Sequence, residues 1–172
     1  CQDTRTETHL HALGLIQAAK GDNLKAMAAP LPVDMEEKNR LSQLLEDRPF
    51  WLASSTHPGE DEIVLEAHQT VLATHADALL ILVPRHTERA DDITGLIARS
   101  KLRHTQRALG QDPPPDAEVY LADTLGETGL WYALAPITCL CGSFSKVGGH
   151  NPFEPALGGS AILHGPHYAN FA

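Results

Sequence analysis

Residues 79–83 read Leu-Leu-Ile-Leu-Val, with Asp77-Ala78 before them and Pro84-Arg85 after. An unbroken apolar run of this length cannot be a half-exposed strand, which alternates apolar and polar residues. It is also far short of the roughly 20 residues needed to span a bilayer. A strand buried on both faces satisfies it, and a parallel sheet covered by helices on each side provides that burial. Similar apolar stretches recur at FWLAS (50–54), VYLAD (119–123), ITCLCG (137–142) and AILHG (161–165).

Helical patterns fill the intervals. Asp34 is placed to cap a helix reaching about Asp47, with Met35, Leu41, Leu44 and Leu45 near helical spacing. Ile63, Val64, Ala67, Val71 and Leu72 form one stripe of a helix ending near His75. Further helices are expected up to Arg99 and over Glu127–Leu134. The alternation predicts an α/β fold with a Rossmann-like parallel sheet. Ahead of it, DTRTETHLHAL reads as a helix closed by Gly14, and KGDNLKAMAAPLPVD (20–34) as a linker. The chain opens at Cys1 inside a helix-like segment and stops just after Asn170-Phe171, so the reading expects a piece of a longer protein.

The net charge of −9 argues against non-specific nucleic-acid binding, which needs clustered Lys and Arg. It leaves room for a small anionic ligand held by one Arg and a few oriented amides. The ten histidines are scattered: His9 and His11 face different ways on a helix, and no metal site is expected. Cys139 and Cys141 share one face of a strand without the C-x-x-C spacing of a zinc or redox site. They read as small buried hydrophobes in a reducing compartment.

Each strand runs out into a polar loop bearing Gly or Pro: ASSTHPGE, VPRHTER, ADTLGETG, GSFSKVGGHNPFE and HGPHYANF. Ligands of open α/β sheets bind at the carboxyl ends of the strands, so these five loops predict one site. In the fourth, Gly148 and Gly149 let backbone approach a ligand, Asn151 is a helix cap, and Pro152 suits a first turn. Glu154 either completes that cap or accepts from the vicinal hydroxyls of a ribose. Arg85 either clasps a phosphate or carboxylate or pairs with Glu88, and His86 is placed to donate to the same group. Ser55, Thr56 and His57 offer hydroxyls and an imidazole at a helix start, or merely cap it. Asp123 turns the chain ahead of Gly126 and Glu127, whose amides face the same edge. His164 and His167 flank Gly165-Pro166 and read as structural. There is no nucleophile elbow, P-loop or G-x-G-x-x-G.

Taken together, GDNLK (21–25), ASSTHPGEDEIVLEAH (53–68), LLILVPRHTER (79–89), VYLADTLGETGLWY (119–132) and CGSFSKVGGHNPFEPALGGSAILHGPHYANF (141–171) closely resemble the Kdo transferases of Gram-negative bacteria. These 3-deoxy-D-manno-octulosonic acid transferases attach Kdo to a lipid A precursor. The resemblance implies a two-domain GT-B glycosyltransferase with its active site in the interdomain cleft. It implies residues 1–25 as the tail of the N-terminal half and start of a linker, and 26–172 as an incomplete C-terminal nucleotide-sugar-binding domain. It also implies CMP-Kdo as donor, no metal and no cofactor. Donor contacts carried over from the family fall on Pro84, Arg85 and His86; on Leu125, Gly126 and Glu127; and on Asn151, Pro152, Phe153 and Glu154. Gly149, His150, Ser55, Thr56 and His57 complete the expected site.

The family's catalytic base is a glutamate of the N-terminal half, outside this stretch, so no catalytic residue is assigned. The implied reaction is inverting: that base deprotonates an acceptor hydroxyl, which attacks the anomeric carbon as CMP leaves. The acceptor, a lipid A precursor, would meet mainly the other half. The parent protein would work at the cytoplasmic face of the inner membrane, this piece being soluble and unable to transfer alone. The family's Gly-Glu-Leu stands here as Gly126-Glu127-Thr128. Two other classes fit the same loops. One is a GT-B transferase or epimerase using a UDP-sugar, which base preference separates from a Kdo transferase. The other is a phosphate- or nucleotide-binding regulatory module with no chemistry of its own, which predicts a complete, stable fold at these termini.

Overall fold

The computed structural model describes residue 1, residues 3–21 and residues 29–171. They fall into two compact units, Cys1–Pro30 and Leu31–Ala172. Most of GDNLK and the 25/26 boundary lie outside the described residues. The first unit carries helix α1, Thr4–Ala12, whose N-terminus Asp3 caps by accepting from the Thr6 amide at 2.7 Å. Leu13 is its C-cap, and Gly14 follows at φ 89°, the left-handed conformation expected of it.

The second unit is built on a six-stranded, all-parallel sheet, as LLILV demanded. In chain order its elements are α2 (Met35–Leu44), β1 (Phe50–Thr56), α3 (Glu60–Leu72), β2 (Leu79–Pro84), α4 (Ala90–Arg99), β3 (His104–Gln106), β4 (Val119–Leu121), α5 (Thr128–Leu134), β5 (Ile137–Leu140), α6 (Phe153–Leu157) and β6 (Ala161–His164). The strand order is β3-β4-β2-β1-β5-β6, and every recorded pairing is parallel. The alternate residues of β2 divide cleanly between two cores. Leu79, Ile81 and Val83 pack with Leu41, Leu130, Trp131 and Tyr132 from α2 and α5. Leu80 and Leu82 pack with Val64, Leu65, Ile93 and Ile97 from α3 and α4. Burying each such side chain stabilises the fold by about 1.5–3 kcal/mol.

The expected strands and helices are all present, with boundaries moved by a few residues. One element was not anticipated: His104–Gln106 forms the edge strand β3 against β4. Its residues are only half-buried, so no apolar run announces it. Cys139 and Cys141 are free and buried, as expected. On their side of the sheet, a groove of about 450 Å³ lies between α3 and β5–β6, lined by Trp51, Ile63, Ile137, Cys139, Phe144 and Leu163 among others. No helix among the described residues is long and apolar enough to cross a membrane.

From β1 the chain steps toward β2 and β4; from β4 it crosses back to β5 and continues to β6. The strand order therefore reverses between β1 and β5. In a doubly wound sheet that reversal opens a crevice at the carboxyl ends of the two strands, because their loops lead to helices on opposite faces.

Candidate functional site

The loops after β1 and β5 meet at this crevice, and a buried carboxylate ties them together. Glu60, in the first turn of α3, is 1% exposed. Its Oε2 accepts from the backbone amides of His57 at 3.0 Å and Gly142 at 2.7 Å; its Oε1 accepts from the Phe144 amide at 2.9 Å. The His57 contact has the i, i+3 spacing of the glutamate arm of a capping box. The other two reach the β5 loop, more than 80 residues away. Beside it, buried Asp61 takes a short ion pair from Arg89, whose other nitrogen donates to the Thr56 carbonyl at 3.1 Å. The loops after β1, β2 and β5 are thus held in one arrangement.

Onto this frame the structure brings three imidazoles. The Nε2 atoms of His57 and His150 lie 2.8 Å apart in a hydrogen bond, with rings within 7° of parallel. His86 meets His57 edge-on at 6.1 Å between centroids. Gly142 makes the pair possible: a Cβ there would lie 2.6 Å from the His150 ring, and its φ of 70° favours glycine as well. Burial pushes both His57 and His150 below the usual histidine range, and Arg85 adds to the effect on each while Glu60 opposes it. Among the described residues no group of three or more His, Cys, Asp and Glu side chains is placed to hold a metal.

Arg85 leaves β2 behind Pro84, its backbone fixed by a hydrogen bond from its own amide N–H to the Thr56 carbonyl at 3.1 Å. It is exposed, and no ion pair engages it among the described residues. Glu88, its alternative partner, lies instead 3.5 Å from His86 Nδ1. Ser55 sits in a bulge at the end of β1 with φ 61°. Neighbouring Ser54 bonds the Tyr132 hydroxyl at 2.9 Å, and burial pushes that phenol up to about 12, with the charge of Glu154 acting in the same direction. Thr56 differs from expectation: it is fully buried, so its hydroxyl is not offered to the crevice.

Gly148 and Gly149 do take positive φ, 94° and 83°. Asn151 caps the short helix α6, accepting from the Phe153 amide at 3.1 Å, with Pro152 at the N-cap position rather than inside. Its amide donates to Glu154 Oε1 at 2.9 Å. The β4–α5 loop ends the sheet edge on the far side of β2. Leu125 is exposed there and Gly126 has φ 84°. Glu127 is held by Arg107 (2.6 and 3.1 Å) and Thr124, and Arg107 reaches on to Glu37 of α2 at 2.6 Å. The bond from Arg107 holds the Glu127 carboxyl below its usual range. This network fixes the loop's position, and its members lie too far apart in sequence for spacing to reveal them.

His68 is a histidine of another kind. Trp51 Nε1 donates to its Nδ1 at 3.1 Å, so that nitrogen is unprotonated and Nε2 donates to the Glu118 carbonyl at 2.8 Å. The ring is neutral and fully bonded, and burial pushes its pKa down. For His57, His68 and His150 alike, the unfolded chain binds protons near 6.5 that the folded chain refuses. Stability from this source is complete above that pH and is lost as pH falls below it. The melting temperature followed by circular dichroism should therefore drop steadily from pH 7.5 to pH 5; a flat profile would contradict the assignment.

No family model matches the chain. Among solved structures it is similar to the C-terminal CMP-Kdo binding domain of WaaA from Acinetobacter baumannii, with a TM-score of 0.75 and 36% identity, covering 79% of this chain and 72% of that one. The 3-deoxy-D-manno-octulosonic acid transferase of Haemophilus influenzae is 41% identical over 126 residues, 73% of this chain and 30% of that protein. That of Rickettsia felis is 33% identical over 165 residues, 96% of this chain and 35% of that protein. The chain thus spans about a third of the length of these relatives. With a parallel sheet of the same fold, and identity of this order across it, the chain belongs to the 3-deoxy-D-manno-octulosonic acid (Kdo) transferase family and corresponds to its C-terminal domain.

Proposed function

We propose that this chain is the CMP-Kdo-binding part of an inverting glycosyltransferase that passes Kdo to a lipid A precursor at the cytoplasmic face of the inner membrane. The observation that carries this reading is the 36% identity to a domain described as CMP-Kdo binding, in a chain whose exposed Arg85 stands beside the β1/β5 crevice. In this reading Arg85 faces the donor's phosphate and the charge that grows as CMP departs. Glu154 keeps one carboxylate oxygen engaged by Asn151 and presents the other to the ribose hydroxyls. Leu125, Gly126 and the Arg107-anchored Glu127 border the base. The catalytic base and most acceptor contacts come from the other half of the enzyme.

Titrating CMP, UMP and UDP into the chain and following its amide resonances tests the reading. CMP should saturate with shifts concentrated in 55–57, 84–86, 125–127 and 149–154, and should bind at least severalfold more tightly than UMP. A preference for UDP would replace the donor with a UDP-sugar.

A further inference from the structure

The His57–His150 contact has a consequence that spacing does not suggest. Two imidazoles joined Nε2 to Nε2 hold one proton between those atoms, one ring donating and the other accepting. The pair can take one more proton, on an outward Nδ1, and keep the bond in its stronger, charge-assisted form. A second additional proton would leave both Nε2 atoms as donors and break it. The pair is therefore a one-proton acceptor, held in place by Glu60 through the His57 and Gly142 amides and by the space Gly142 leaves.

We propose that the His57–His150 pair is the oxyanion subsite of the crevice and that an anionic donor group binds there together with one proton from solvent. The proposal rests on the CMP-Kdo reading, which supplies two such groups, a phosphate and a carboxylate. The charges facing the pair set its empty state. Arg85 and His86 from the β2 loop and Arg89 from the turn after it disfavour a further positive charge; Glu60 at the start of α3 is the opposing carboxylate. Both rings are already depressed by burial, so the pair is neutral at physiological pH. An oxyanion reaching Arg85 and the pair adds the missing negative charge, and an opposite charge within about 4–6 Å moves a titration by about 1–3 units. Binding then draws a proton onto the pair, and each unit of upward shift is a tenfold gain in affinity as pH falls.

The test is a histidine-ring 15N and 13C titration of the 172-residue chain from pH 5 to 8.5, alone and saturated with CMP, with free Kdo or with cytidine. CMP carries only the phosphate, Kdo only the carboxylate and cytidine neither. The midpoint of the His57–His150 pair should rise by about one unit or more with CMP if the phosphate sits there, or with Kdo if the carboxylate does. It should not move with cytidine, and His68 should not move in any arm. His150→Gln should bind CMP more weakly than the parent at every pH and lose the gain on acidification. If CMP and Kdo both saturate, judged by backbone shifts, while the pair titrates as in the empty chain, the proposal is overturned and the donor reading stands. If neither binds at any pH, both are overturned.

Discussion

Glu60→Ala should lower the melting temperature of this chain by roughly 10 °C, the largest effect expected of any single substitution in the site. The carboxylate accepts from three backbone amides, two of them across the crevice, and is almost completely buried. Alanine leaves those donors facing a void. Each unpaired buried donor costs about 1–3 kcal/mol, and partial entry of water brings the sum to roughly 3–5 kcal/mol. For a chain of this size 1 kcal/mol moves the midpoint by about 2–4 °C. Glutamine should fare little better. Both carboxylate oxygens accept amide protons, so either orientation of the glutamine side chain sets its NH2 against a backbone N–H. Thermal melts of the two variants, with hydrogen exchange at Gly142 and Phe144, check this. Faster exchange at those two amides should accompany the loss. A melting temperature within 2 °C of the parent for both variants would refute the staple.

The contrast between Glu60 and its neighbours explains what the sequence could and could not announce. LLILV specified a doubly covered parallel strand because burial on both faces leaves a compositional mark on every residue. Loops at strand ends specified the sheet edge because turns require Gly and Pro at particular φ, and Gly148 and Gly149 adopt them. The edge strand His104–Gln106 left no such mark, since half-buried polar residues read as loop. Glu60 was visible only as one acid among three at a helix start, where the dipole alone would account for it. Its true partners, the Gly142 and Phe144 amides, are backbone groups with no sequence signature. Tertiary ion pairs were hidden likewise: Arg107 finds Glu127 and Glu37 across 20 and 70 residues. The motif reading also overvalued a hydroxyl. Thr56 lies beside His57 in sequence but on the buried side of the strand end.

Arg85→Met should do the reverse of the Glu60 change, sparing the fold and damaging recognition. Three arginines near this sheet edge differ in what they hold. Arg89 is committed to buried Asp61, and Arg107 to Glu127 and Glu37, so both serve the scaffold. Arg85 is exposed and has no ion pair among the described residues, while its main chain is fixed by the Thr56 carbonyl. Methionine keeps the aliphatic stem and removes the charge. Its effect on stability should stay within about 0.5 kcal/mol, as for a surface substitution away from any network. A charge-assisted bond to phosphate contributes about 1.5–3 kcal/mol, which is a loss of roughly ten- to a hundredfold in CMP affinity. Cytidine, lacking the phosphate, should bind the variant and the parent equally. Lysine at the same position should recover part of the loss, since it restores the charge without the planar fork. Calorimetric titration of CMP and cytidine into the three proteins separates these outcomes. Equal CMP affinity for Arg85→Met and the parent would take the phosphate away from Arg85. Equal loss for CMP and cytidine would mean that the side chain shapes the pocket instead of meeting the charge.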